Sequence, residues 1–257
     1  MCGIAGWYCY SDSRITKKEL KNMLVNLEVR GADATGVAWS TDKSTFILRS
    51  PNKASEFVEL KDLKKESTDI VNSKWGFLHT RAATHGSPSN NLNNHPIMNG
   101  KGIIVHNGVV NFRGPKIVSK GETDSEQLML NIQANNWVKA LGDYYGSAAF
   151  AYKDFRFKGF YIYTDGCMPL VWAKDEKRHI LFFCSTDYIL KKSIGNIETK
   201  PVEVGGVHYI SDKGMRKVAT VKKEYVYANN ANNFARNYKE NSVAEFLGQY
   251  ELEGINS

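Results

Sequence analysis

The chain has 257 residues, 42% apolar and 12% aromatic, enough to bury a sizeable core, so a globally disordered chain is excluded. Its 34 basic and 27 acidic residues leave a net charge of +7, gathered in part at Lys213, Arg216, Lys217, Lys222 and Lys223. Such a run reads as a solvated face, and no RNA-binding or helix-turn-helix pattern accompanies it, so nucleic acid is not an expected partner. No stretch reaches the roughly 18 to 20 apolar residues of a membrane span. The N-terminus shows no basic segment followed by a long apolar run. The expectation is a cytoplasmic protein that does not contact a membrane.

Cys2, Cys9, Cys167 and Cys184 are scattered and form no C-x-x-C pair, which argues against a zinc or redox centre. Cys9, Cys167 and Cys184 read as small buried hydrophobes. No H-E-x-x-H pattern supports metal catalysis.

The opening CGIAGWYCY, bounded by Ser11 and Asp12, reads as a buried strand. Residues 15–29 predict a helix, with Leu20, Met23, Leu24 and Leu27 on one face and Thr16 as its cap. Strands follow at 36–40 and 46–50, then an amphipathic helix around 54–65. Further strands are expected at WGFLHT, GIIVHNGVV, SAAFAYK, GFYIYTD, PLVWAK and HILFFCS, with a helix over SEQLMLNIQANNW between the second and third. Many strands with a few long helices fit a layered α/β or α+β fold. After about residue 225 the composition turns rich in asparagine. One main domain at 1–225 is expected, with a tail at 226–257. In that tail Val243, Phe246, Leu247 and Tyr250 share one face of a short helix.

Cys2 carries the sharpest chemical signal. Loss of Met1 gives it a thiol with pKa of about 8.5 beside a free α-amine of about 7.7 to 8.0. The amine can then serve as the base that activates the thiol. Taken alone, Cys2 could equally open a buried strand, and Asn107-Gly108 could equally be a hairpin turn between apolar runs.

Five segments must be taken together: MCGIAG at 1–6, RGADATG at 30–36, HTRAATHG at 79–86, VHNGVV at 105–110 and ETDSE at 122–126. In this order they resemble the glutaminase domain of class II glutamine amidotransferases, which are N-terminal nucleophile (Ntn) hydrolases. The resemblance is strongest over residues 1–126. It implies an α+β fold, a four-layer αββα sandwich with two mostly antiparallel sheets. It further implies that Cys2 attacks the side-chain amide of L-glutamine and forms a thioester. Asn107 and Gly108 match the oxyanion donors, Arg81 the α-carboxylate ligand and Asp124 the α-ammonium ligand. Thr84 and His85 match the loop lining the glutamine pocket, and Arg30 and Gly31 a turn supporting the nucleophile. His79 and His106 read as core histidines rather than bases.

Two features depart from the family's pattern. Ala82 stands where many relatives carry tryptophan, and the gap from Asn107 to Asp124 is short. The resemblance implies no cofactor and no metal. No P-loop or phosphoribosyl-binding signature is present, so the expected partner is a separate ammonia-accepting synthase. An autonomous amidohydrolase acting on glutamine or a γ-glutamyl compound, and a non-catalytic partner-binding module, are the alternatives. A homo-oligomer stays open.

Overall fold

A computed structural model describes residues 1–41, 44–112 and 122–222. All of these lie in one compact unit, Met1–Lys222. The expected apolar stripe at Val243, Phe246, Leu247 and Tyr250, like the whole 226–257 tail, lies outside the described residues.

The first strand, β1 (Gly3–Cys9), is buried along its whole length. Side chains alternate across a strand. Ala5, Trp7 and Cys9 therefore join one core while Ile4 and Tyr8 join another. Burial on both faces explains why the sequence reads as an unbroken apolar run. Helix α1 (Lys17–Leu27) starts where Thr16 caps it. The Thr16 hydroxyl accepts from Glu19 N, and the Glu19 carboxylate accepts from Thr16 N at 2.7 Å.

After β2 (Ala34–Ser40) and β3 (Thr45–Ser50), the helix expected over 54–65 is two helices, α2 (Ala54–Phe57) and α3 (Lys61–Asn72). Leu60 between them is extended. Phe57 and Leu63 would lie about 120° apart on one continuous helix. The break lets both enter the same core.

The chain continues through β4 (Trp75–Arg81), β5 (Ile97–Asn99) and β6 (Gly102–Phe112). The helical signal at 125–137 resolves into α4 (Asp124–Ala134) and α5 (Trp137–Gly142), parted where the Asn136 side chain caps the second. The strands β7 (Tyr144–Asp154), β8 (Phe160–Thr164), β9 (Val171–Asp175) and β10 (Ile180–Cys184) follow. Helix α6 (Asp187–Ile194) precedes β11 (Thr199–Pro201), β12 (Gly206–Ser211) and β13 (Gly214–Thr220).

These strands build two sheets. One runs β11-β9-β10-β1-β4-β2-β3 and the other β13-β12-β8-β7-β6-β5. The ladders are antiparallel throughout. Helices α1, α3 and α6 cover the outer face of the first sheet through Leu20, Leu24, Leu63, Ile70 and Leu190. Helices α4 and α5 cover the second through Leu128, Met129, Ile132 and Leu141. Between the sheets lie Ile4, Tyr8, Phe77, Val105, Phe160 and Phe183. The order helix, sheet, sheet, helix is the αββα sandwich expected from the resemblance. Among the described residues no helix is long and apolar enough to cross a membrane.

Candidate active site

Strand parity decides which side chains meet. Ile4 and Tyr8 on β1, Phe77 on β4, and Ile103 and Val105 on β6 all face the layer between the sheets. Cys2, His79, Arg81 and Asn107 share their parity and so face the same layer. Gly3 pairs with Thr80 and Ile4 with His79, so one further step sets Cys2 opposite Arg81. The two residues are neighbours across adjacent strands at one end of the cleft.

The nucleophile candidate is held on two sides. Cys2 Sγ lies 3.6 Å from the Ala82 carbonyl oxygen, and Arg30 Nε donates to the Cys2 carbonyl at 2.9 Å. Gly31 explains how that turn can approach. A Cβ there would lie 2.4 Å from Ala82 N and from the Arg81 carbonyl carbon, which are backbone atoms with nowhere to move. Burial pushes the Cys2 thiol above its ordinary pKa, partly offset by the Ala82 hydrogen bond and the positive charges of the Met1 amine and Arg81. A thiol in that state needs a base to become a nucleophile.

Arg81 is 3% exposed. Its guanidinium donates to Asn94 Oδ1 at 2.9 Å, to the Gly86 carbonyl at 2.8 Å and to the His85 carbonyl. Burial draws its pKa down, while Cys2, Asp33 and Asp124 draw it back up. Arginine fits this place because its planar fork can serve several acceptors at once.

Asn107 and Gly108 are not a hairpin turn. Both lie inside β6, paired with Ala149 and Ala148 of β7. Asn107 is 1% exposed, yet its Nδ2 meets no acceptor among the described residues. A buried amide donor without a partner costs about 1 to 3 kcal/mol, a cost that an incoming oxygen would relieve. Gly108 has φ of 138°, and a Cβ there would lie 2.0 Å from the Ser147 carbonyl oxygen, so only glycine fits.

Asp124 opens α4, and its Oδ2 accepts from Val110 N at 2.8 Å. The charges of Asp124, Arg81 and Cys2 act on one another, which places the three in one neighbourhood. Thr84 and His85 sit on the exposed loop after β4. His85 reaches the site through its main-chain carbonyl rather than its ring.

Three contributors escaped sequence reasoning. Asp33 donates its N–H to the Arg81 carbonyl and accepts from Ala83 N at 2.7 Å, bracing the backbone around Ala82. Asn94, fully buried, receives Arg81. Ser125 meets His106 Nδ1 at 2.9 Å. Asp33 stood inside the RGADATG segment, whereas Asn94 lies in a polar stretch with no motif to mark it. Among the described residues no group of three or more His, Cys, Asp or Glu is placed to hold a metal.

No family model matches the chain. It is 32% identical over 137 residues to the glutamine–fructose-6-phosphate aminotransferase (isomerizing) of Geobacillus kaustophilus, a match covering 50% of this chain and 21% of the relative. The chain thus spans about a fifth of the length of the curated relatives it matches. Its fold is similar to the glutamine phosphoribosylpyrophosphate amidotransferase of B. subtilis, with a TM-score of 0.66 and 17% identity over 84% of this chain and 49% of that one. It is also similar to a glutamine aminotransferase class-II domain protein of Silicibacter pomeroyi, with a TM-score of 0.53 and 15% identity. That match covers 86% of this chain and 100% of the other.

Proposed function

We propose that the chain is a class II glutamine amidotransferase domain of the Ntn hydrolase type, and that it hydrolyses L-glutamine to glutamate and ammonia through a thioester on Cys2. The observation that supports this reading is Cys2 set opposite Arg81 across β1 and β4, with the buried and unpartnered Asn107 amide on the face of β6 that is turned to the same inter-sheet layer.

Each group has a role its chemistry supports. After removal of Met1, the Cys2 α-amine takes the thiol proton, directly or through a water. The thiolate attacks the amide carbon, and the developing oxyanion accepts from Asn107 Nδ2 and Gly108 N–H. Losing one such donor typically costs about 10² to 10³ in turnover. The protonated amine returns its proton to the departing ammonia, and water then hydrolyses the thioester. Arg81 holds the α-carboxylate with part of its fork and Asp124 holds the α-ammonium. Thr84 and His85 line the pocket. Arg30 and Gly31 anchor the nucleophile's turn.

We further propose that the amidotransferase unit is residues 1–225 with an appended tail, working in the cytoplasm. The ammonia goes to a separate synthase protein, a reading supported by the aminotransferase and amidotransferase reactions named for the relatives. The test is intact-mass analysis of active protein, paired with labelling by the glutamine analogue 6-diazo-5-oxo-norleucine. Loss of Met1 and one adduct on Cys2 are expected, with no turnover in Cys2→Ala. Fully active protein that retains Met1 would overturn the mechanism. Stimulation of glutaminase activity by a co-purifying synthase separates the subunit reading from an autonomous hydrolase.

A further inference from the structure

Helix α4 begins beside the strand that carries the oxyanion donors, and two hydrogen bonds join its first turn to β6. Asp124 Oδ2 accepts from Val110 N at 2.8 Å, and Ser125 Oγ meets His106 Nδ1 at 2.9 Å. They grip β6 on either side of Asn107 and Gly108. Ser125 is 3% exposed and His106 1% exposed, so neither exchanges its partner for bulk water.

The protons in this bond can be placed by inventory. His106 Nε2 lies beside the Ser147 carbonyl, without closing a hydrogen bond to it. A carbonyl only accepts, so the favourable tautomer carries its proton on Nε2 and leaves Nδ1 as an acceptor. The Ser125 hydroxyl then donates to Nδ1. The imidazole therefore fills the space between α4 and β7 right beside Gly108, where a Cβ would come within 3.1 Å of Nε2 and 2.0 Å of the Ser147 oxygen. Gly108, at positive φ, therefore lies next to that ring's Nε2.

We propose that Ser125 is a positioning residue for the oxyanion donors: its hydroxyl fixes the His106 imidazole, and the imidazole holds the peptide at Gly108 in its donating orientation. This rests on the glutaminase reading above. Ser125 touches no substrate atom and acts through His106. An interaction felt through the oxyanion is made in the transition state and not in the bound ground state, so its loss lowers kcat and kcat/KM together.

The experiment compares Ser125→Ala and Ser125→Thr with the wild-type full-length protein. Three quantities are read: kcat and KM for glutamine, the rate at which iodoacetamide alkylates Cys2, and the His106 ring nitrogen shifts by ¹⁵N NMR. Alkylation forms an Sγ–C bond and expels iodide without generating an oxyanion. Ser125→Ala is expected to lower kcat by about tenfold or more, less than deletion of a whole donor, with KM nearly unchanged and alkylation unaffected. Ser125→Thr, which keeps the hydroxyl, is expected to recover most of kcat. An unchanged kcat, an equal loss in alkylation, a rise in KM alone, or a threonine variant as poor as alanine overturns the proposal. The wild-type NMR spectrum decides independently of folding in the variants and of activity: a proton on Nδ1 instead of Nε2 also overturns it. Wild-type protein inert toward glutamine counts against the glutaminase reading, whereas the tautomer judges the Ser125 link by itself.

Discussion

His79 of the first sheet reaches across the cleft to the second, its Nε2 lying 3.1 Å from the main-chain oxygen of His106. A carbonyl only accepts, so His79 carries its proton on Nε2 and donates it. The His95 ring stacks on His79 with centroids 4.1 Å apart. All three imidazoles are buried beside the candidate active site, and burial holds each of them neutral. His79 is pushed down to about 3, and His95 and His106 are lowered as well. The sequence reading of His79 and His106 as core histidines matches their burial, but each leaves one ring nitrogen without a partner.

That burial predicts an acid-sensitive fold. In the unfolded chain a histidine titrates near 6.5, while the folded pKa values lie lower, so the unfolded state binds more protons between the two. The stabilising contribution is complete above pH about 6.5 and is lost as the pH falls from there towards the folded values. At pH 5.5 an imidazole that stays neutral costs about 1.4 kcal/mol, so His79, held at about 3, costs that much by itself out of a typical total of about 5 to 15, and His95 and His106 act in the same direction. Urea unfolding at pH 7.5 and 5.5 should show this loss. Equal midpoints at the two pH values would contradict the neutral burial of the cluster.

Gly108→Ala should abolish glutamine turnover while Gly100→Ala does not. At Gly108 the new methyl meets the Ser147 carbonyl at 2.0 Å and the backbone sits at φ 138°; at Gly100 nothing lies within 4 Å. Moving the Gly108 peptide would displace one of the two proposed oxyanion donors and cost overpacking strain of about 1 to 3 kcal/mol. Kinetics and thermal melting of the two variants, measured side by side, check the contrast.

The legible parts of the sequence were those where one residue pattern served one structural purpose. β1, β4 and β10 are buried on both faces and read as apolar runs, and Thr16, read as the cap of the first helix, does cap α1, where Glu19 completes a capping box. Other parts carried conflicting signals. β13 is an edge strand whose Arg216, Lys217 and Val218 are exposed, so it read as a basic patch rather than a strand. Asn93 and Asn94 carry no sequence pattern that announces burial, yet both are fully buried, where they meet Glu122 and Arg81. For Asn107-Gly108 the local dipeptide favours a turn, and the ladder with β7 overrides it. The motif order pointed to Cys2, Arg81, Asn107 and Asp124 and to the Arg30–Gly31 turn, while the bracing by Asp33, Asn94 and Ser125 depends on contacts that only the folded chain makes.

A charged cluster far from the cleft should govern stability separately. Glu19 accepts from Thr16 at its own helix start and from two Arg178 nitrogens at 3.0 and 2.7 Å, while Arg178 Nε donates to Asp175 at 2.6 Å. Glu19 and Asp175 are both held below their ordinary carboxylate pKa, against the opposing effect of burial, by Arg178 and by their other hydrogen bonds. Their contribution is present above about pH 4.5 and lost as the pH falls through the lowered values. Arg178→Ala strands the Glu19 carboxylate and should cost about 1 to 3 kcal/mol near pH 7, since the guanidinium is partly exposed. The gap between variant and wild type should narrow as the pH falls towards 4. A penalty independent of pH would assign Arg178 a packing role instead.

Arg81→Lys separates geometry from charge at the centre of the site. The arginine fork joins Asn94, Gly86 and His85, three acceptors spread along the loop that follows β4. A lysine ammonium is a single point with no planar fork and cannot reproduce that spread. The variant should therefore raise KM for glutamine at least about tenfold, the cost of one charge-assisted contact, and make the 82–92 loop easier to cleave by protease. The positive charge survives, so the pH at which iodoacetamide begins to alkylate Cys2 should stay put. In Arg81→Gln that pH should rise, because Arg81 is one of the charges drawing the Cys2 thiol down. Identical alkylation profiles in the lysine and glutamine variants would show that Arg81 serves the loop alone and exerts no field on the nucleophile.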